Sequence, residues 1–258
     1  MTTSMKKILI LFLISLFIPA LSAQHIFEVT AENGLILRAG PGTNSVRLGK
    51  LPFGQAVEVL ERTGIKAQIQ DEGNTISGEW VKISFVDYPK PIAPVKEGYV
   101  FDGFLVFQSI LIKELEQELS KFDVFKDMVV LHNRHQYHLQ GDFFGDGVED
   151  VAVMVQGADP SIKIAIINYG PQNSARLLGG TDDPFRIHDY AWAGIFEKVA
   201  SGEVLWSNYV EDFREWEDVP DDEKVVLSYD AIFLHQEEAC GGGFVFWQND
   251  KFHWLQQE

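Results

Sequence analysis

The chain has 258 residues, 46% hydrophobic and 12% aromatic, and that much apolar material excludes disorder as its overall state. A single cysteine excludes a disulfide-stapled mini-domain, and the length fits one or two domains. With 21 Lys+Arg against 38 Asp+Glu the formal charge is −17, which argues against nucleic acid, teichoic acid or an anionic membrane as partner over most of the surface.

Residues 1–23 read as a secretory signal peptide. Lys6 and Lys7 form a positive start, Ile8 to Ile18 is apolar save for Ser15, and Leu21-Ser22-Ala23 places a small residue before Gln24. The apolar run falls short of the roughly 20 residues that span a bilayer, so cleavage is favoured over an uncleaved membrane anchor. No cysteine near the cut could carry a lipid. Cleavage removes two lysines and no acid, which moves the net charge from −17 to −19. The expected product is exported, to the periplasm or outside the cell, with no stable membrane span. Cys240 would then be an unpaired thiol, read as a buried small hydrophobe.

The remainder divides in three. Residues 24–106 show short alternating runs separated by Gly, Pro and Asn, the texture of an all-β unit. Residues 107–128 carry Ile112, Leu115, Leu119 and Phe122 at spacings of three and four among Lys113, Glu114 and Glu116, which predicts an amphipathic helix from Gln108 to about Lys126, a connector or lid. Residues 129–258 return to β texture, with strands expected at Val151–Val155, Ile162–Ile167, Val225–Leu227 and Phe244–Trp247. The fold class is therefore mainly β: a small N-terminal barrel, a connecting helix and a C-terminal β-rich domain.

In the first unit, Leu35 and Leu37 alternate with Ile36 and Arg38, as a strand with two unlike faces requires. Gly40-Pro41-Gly42 makes a tight turn, Leu51-Pro-Phe-Gly separates the next strands, and Val57, Val59, Trp80 and Ile83 are expected to supply the core. The run Gly34-Leu-Ile-Leu-Arg-Ala-Gly-Pro-Gly, continued through Trp80-Val-Lys-Ile and Gly98-Tyr-Val, resembles a bacterial SH3 domain. That resemblance implies a five-or-so-stranded barrel and a non-catalytic module associated with cell-wall or peptide ligands. Two departures stand out: residues 64–78 lengthen one connection, and Asp87-Tyr-Pro-Lys-Pro-Ile-Ala-Pro lengthens another. Both would lie at the barrel edge, where loops commonly carry function. A spacer barrel without a ligand of its own is the alternative.

Gly141 to Asp150 resembles the calcium loop of the FG-GAP and dockerin type, a relative of the EF-hand loop. Calcium takes about six to eight oxygen ligands. Asp142, Asp146 and Asp150 would supply carboxylates and Val148 a backbone carbonyl. Phe144 stands where a further oxygen is usual, so water would fill the gap. The alternative is a tight inter-strand turn with Phe143 or Phe144 packed inward. His132, His135 and His138 precede the loop; on a helix they could gather zinc with Asp142 or Asp146, but Val129-Val-Leu and Tyr137-His-Leu favour strand positions.

Glu211–Lys224, acidic and interrupted by Pro220, is expected as an exposed excursion. The C-terminus predicts a hairpin, Phe244–Trp247 turning at Gln248-Asn-Asp into Lys251–Leu255. Together with the aspartate loop it resembles uncharacterised exported bacterial proteins, which implies no activity. Trp247, Phe252 and Trp254 are expected in the core, with a sugar platform as the alternative. No G-x-S-x-G elbow, H-E-x-x-H helix or phosphate loop is present. The expectation is an exported, non-enzymatic binding or scaffold protein of the envelope, recognising a cell-wall glycan, a peptide or an envelope protein. A metal-dependent hydrolase using the aspartate loop and histidines, and a purely structural protein stiffened by calcium, are the alternatives.

Overall fold

Seven strands come first: β1 (Ile26–Val29), β2 (Leu35–Arg38), β3 (Arg47–Leu51), the long β4 (Ala56–Asp71) and β5 (Asn74–Phe85), β6 (Glu97–Phe101) and β7 (Leu105–Phe107). They form one antiparallel sheet in the order β3-β2-β6-β5-β4-β1-β7. The computed structural model describes residues 26–71, 73–86, 92–134, 136–208, 213–237 and 241–257. The expected signal peptide, His135, Cys240 and most of the proline-rich connection lie outside these residues.

Alternation decides the barrel core. Leu35 and Leu37 on β2, Val57 on β4, and Val81 and Ile83 on β5 pack with Val29, Leu51 and Val100. Trp80 is the correction. It is buried, but it stands one residue from Val81 and three from Ile83, so the period-two pleat puts it on the opposite face of β5. There it meets Phe101, ring centres 6.1 Å apart.

The lengthened 64–78 connection is strand rather than loop. Beyond register shifts between Val59 and Glu61 and between Arg62 and Lys66, β4 and β5 stay paired out to Asp71 opposite Asn74. The irregularity is a bulge at Thr63-Gly64-Ile65. Gly64 takes φ +73°, which strains a residue with a Cβ. The Thr63 hydroxyl donates to the Trp80 carbonyl and accepts from the Ile65 N–H, replacing part of the interrupted ladder. The outer parts of β4 and β5 form a projecting two-stranded arm.

The helix α1 (Gln108–Leu119) is shorter than its apolar spacing predicts. Past Ser120 the chain makes a 3-10 turn at Asp123–Phe125, which buries Phe125 against Phe122. Leu115, Leu119 and Phe125 belong to the core of the second domain, and α1 also packs on β1 and β7 of the barrel. No helix among the described residues is long and apolar enough to cross a membrane.

That domain continues with β8 (Val129–Val130), β9 (His138–Gly141), β10 (Asp150–Gln156), β11 (Ile162–Ile167) and β12 (Ala175–Leu178), a sheet in which β10 pairs β11, β9 and β8. Val151–Val155 and Ile164–Ile167 are buried along their whole length, as strands covered on both faces must be. The cover includes α1 and a second sheet contributing Phe196, Ile232, Leu234 and Val245. The strands of this region are β13 (Ile195–Val199), β14 (Val204–Leu205), β15 (Val225–Val226), β16 (Ala231–His235), β17 (Gly242–Gln248) and β18 (Lys251–Gln257). The order is β13-β16-β17-β18, with β14 and β15 as a separate ribbon. Asn249 and Asp250, both at positive φ, close β17 onto β18 in the two-residue turn whose twist suits a hairpin. Trp247, Phe252 and Trp254 pack against the core.

Candidate functional site

The face of β5 that carries Trp80 is the floor of a cleft of about 490 Å³. Phe101, from β6, and Phe104, from the 3-10 turn Asp102–Phe104, extend the floor, their ring centres 6.0 Å apart. The arm supplies one wall. Directly paired residues share a face, so Ala67 with Gly78 and Ile69 with Ile76 make an apolar side, while Gln68 with Ser77 and Gln70 with Thr75 make a polar one. Ile69 and Ile76 line the cleft. Opposite them, Arg38 lays its guanidinium 6.0 Å from the Trp80 ring centre and donates from Nη1 to the Ser45 carbonyl. Glu32 and Asp71 make the rim acidic.

The arm is held at its root. Asp102 accepts the Glu79 N–H at 2.7 Å and Arg62 Nη1 at 2.8 Å, and Arg62 also reaches Glu79 at 2.7 Å. The guanidinium holds the Glu79 carboxyl below its ordinary range. A Cβ on Gly103 would meet Phe101 at 2.5 Å and Ile76 at 2.8 Å, so only glycine lets the turn pass this close to the arm. Two hydrogen bonds also fix the backbone phase of β5. The Trp80 carbonyl faces β4, where Thr63 binds it, and the Glu79 N–H faces away, toward Asp102. By alternation the N–H and C=O groups of Ser77 and Thr75 face away too, along the edge beside an open concavity lined by Ser77, Gly78, Glu79, Asp102 and Gly103.

The aspartate loop is arranged differently from a cation shell. Asp142 turns its carboxylate onto the N–H groups of Gly145, Asp146 and Gly147, at 2.7, 3.1 and 3.1 Å. Asp150, fully buried at the start of β10, accepts from Phe144 at 3.0 Å and Tyr169 at 3.3 Å; burial pushes its carboxyl up to about 6. Asp146 is exposed and caps the Val148 N–H at 3.1 Å, and Val148 is itself exposed. Phe143 and Phe144 point inward, Phe144 lying 5.0 Å from Trp247 and 5.1 Å from Phe252. In this arrangement the carboxylates of Asp142, Asp146 and Asp150, all from the expected set, accept backbone N–H groups, and Val148 stands exposed. Their oxygens close a turn instead. No group of three or more His, Cys, Asp or Glu side chains among the described residues is placed to hold a metal ion.

The histidines separate as well. His132 is exposed in the turn after β8, whereas His138 is buried on β9. His138 faces Glu28 of β1, a residue with no sequence signal of its own, at the contact between the two domains. Glu28 Oε1 accepts from the Tyr137 hydroxyl and from Gln108 Nε2, both at 2.7 Å. Burial raises the Glu28 carboxyl to about 6, against those two bonds, and lowers the His138 imidazole to about 4. Beside the pair a cavity of about 370 Å³ opens between the Pro52–Gln55 turn of the barrel and Gln136, Leu139 and Phe196 of the second domain.

In comparisons with known proteins, the bacterial SH3 domain family matches residues 33–106. The matched stretch begins after β1 and ends within β7, so it covers the arm and the Trp80–Phe101–Phe104 floor but neither Glu32 of the rim nor Glu28. No curated protein and no solved structure matches the chain.

Proposed function

We propose that this protein is a non-enzymatic binding module of the bacterial envelope, which takes an extended peptide or a peptide-bearing cell-wall ligand in the cleft between the arm and the barrel. The observation that carries the reading is the apolar wall of Ile69 and Ile76 raised over the Trp80–Phe101–Phe104 floor. It turns the side of a small barrel into a recess with an aromatic base, an acidic rim and an adjoining row of backbone donors and acceptors at Ser77 and Thr75. An aromatic base with a few placed polar groups is the lining usual for a small-ligand or peptide site. The bacterial SH3 match supports a binding role, since such domains commonly bind cell-wall peptidoglycan or proteins and typically occur in extracellular or envelope proteins. The leader-like residues 1–23 support export.

The test is co-sedimentation of residues 24–258 with purified peptidoglycan, and pull-down from envelope extract, beside Ile69→Asp and Ile76→Asp. Both sites are partly exposed, so the variants should keep the parent's melting curve while losing retention. Retention of the variants at parental level, or none by the parent, would refute the reading.

A further inference from the structure

The contact between the barrel and the second domain contains a pair of ionisable groups that binding in the cleft does not use. Glu28 Oε2, from β1, and His138 Nδ1, from β9, face each other at 3.7 Å, and neither atom has a hydrogen-bond partner. Both side chains are almost fully buried. The other groups in direct contact with the pair are uncharged, and Glu32, Glu197 and Lys198 line the neighbouring cavity. Gln108 comes from α1, the Phe53 ring lies 5.4 Å from the His138 ring, and Ala56 and Val106 flank Glu28 on β4 and β7. Val153 faces His138 from β10, and the Tyr137 hydroxyl, itself driven to a higher pKa by burial, is the other titratable group against the pair.

We propose that Glu28 and His138 are a proton-compensating latch, in which each group cancels the pH dependence that the other alone would impose on docking of the two domains. A carboxylate buried in this contact disfavours docking when ionised, and an imidazole there disfavours docking when protonated. The signs oppose. Glu28, raised from 4.5 to about 6, gives stability that is present at low pH and lost as pH rises through 6. His138, lowered from 6.5 to about 4, gives stability that is present above 6.5 and lost as pH falls toward 4. Between these limits the folded pair holds one proton on the carboxyl, facing a neutral imidazole nitrogen, and the contact keeps zero net charge.

The measurement is the unfolding equilibrium constant in urea at pH 7.5 and pH 5 for the parent, Glu28→Gln and His138→Gln. Taken relative to the parent, which cancels Asp150 and every other shared group, the two variants should move oppositely. Glu28→Gln should become roughly tenfold less stable on going to pH 5, because the histidine is left uncompensated. His138→Gln should become roughly tenfold more stable over the same interval, because the carboxyl is left uncompensated. Equal pH trends in the two variants, or none in either, overturn the proposal. Should a variant fail to fold, the parent still decides by NMR: His138 ring signals are expected to remain those of neutral imidazole at pH 5, and an ordinary histidine titration there overturns the latch.

Discussion

In the second domain, β10 and β11 are buried except at Gln156 and Lys163, whereas in the barrel β4 starts buried at Val57 and ends with exposed Gln70 and Asp71. The first arrangement comes from covering a sheet on both faces, the second from letting two strands outrun the core that anchors them. A strand buried on both faces has no surface to offer a partner. An arm anchored at one end keeps a wall, a polar side and an open edge available, at the cost of contributing little to stability. Recognition is accordingly proposed for the barrel, whose arm is its most exposed paired element.

Four substitutions and one calcium titration would break or sharpen that contrast. The largest effect is expected from Trp80→Ala, which empties the junction between barrel and cleft and should cost about 3–5 kcal/mol in urea unfolding while abolishing retention. Met154→Ala, in the buried middle of β10, should cost about 2–5 kcal/mol and leave ligand capture by the surviving folded protein unchanged. Asp142→Ala removes the acceptor for three loop N–H groups and should cost about 1–2 kcal/mol. Adding calcium or a chelator should leave the parent's Tm where it was; a calcium-dependent rise lost in Asp142→Ala would restore the cation loop. Ile69→Ala, on the arm, should change stability by less than about 1 kcal/mol and still weaken capture, and a core-sized loss there would erase the distinction between the regions.

A pH prediction belongs to the second domain alone. Asp150 is raised by burial from 3.8 to about 6, so its contribution is present at low pH and lost as pH rises through 6. Asp150→Asn should flatten the parent's decline in stability between pH 4 and pH 7, measured as urea midpoints. An unchanged slope would place the decline elsewhere.

Legibility followed the range of the interaction. The barrel strands could be read because Leu35 and Leu37 alternate and Gly40-Pro41-Gly42 turns within a few residues. The C-terminal hairpin could be read because Asn249 and Asp250 accept positive φ. Trp80 fits the barrel core by residue type, but its parity against Val81 and Ile83 places it on the other face. That signal was available. The aspartate loop shows a different limit, since carboxylates at this spacing serve equally to bind a cation or to receive backbone N–H groups, and only the directions of Asp142 and Asp150 separate the two. Helix α1 ran past its true end on paper because Phe122 continues the apolar spacing, while in the fold a turn at Ser120 is what brings Phe125 into the core.

By itself the chain of letters determined the strand-rich class, the acidic surface, the turn chemistry and the leader-like start, all of which depend on near neighbours. Tertiary structure alone decided that Ile69 and Ile76 wall a cleft, that Glu28 meets Tyr137 and His138 across 109 and 110 positions of sequence, and that three loop carboxylates cap a turn. The physical reason is that periodicity and turn propensity are written in spacings of two to four residues. The meeting of distant side chains is fixed only when the sheets are stacked and water has been driven from between them.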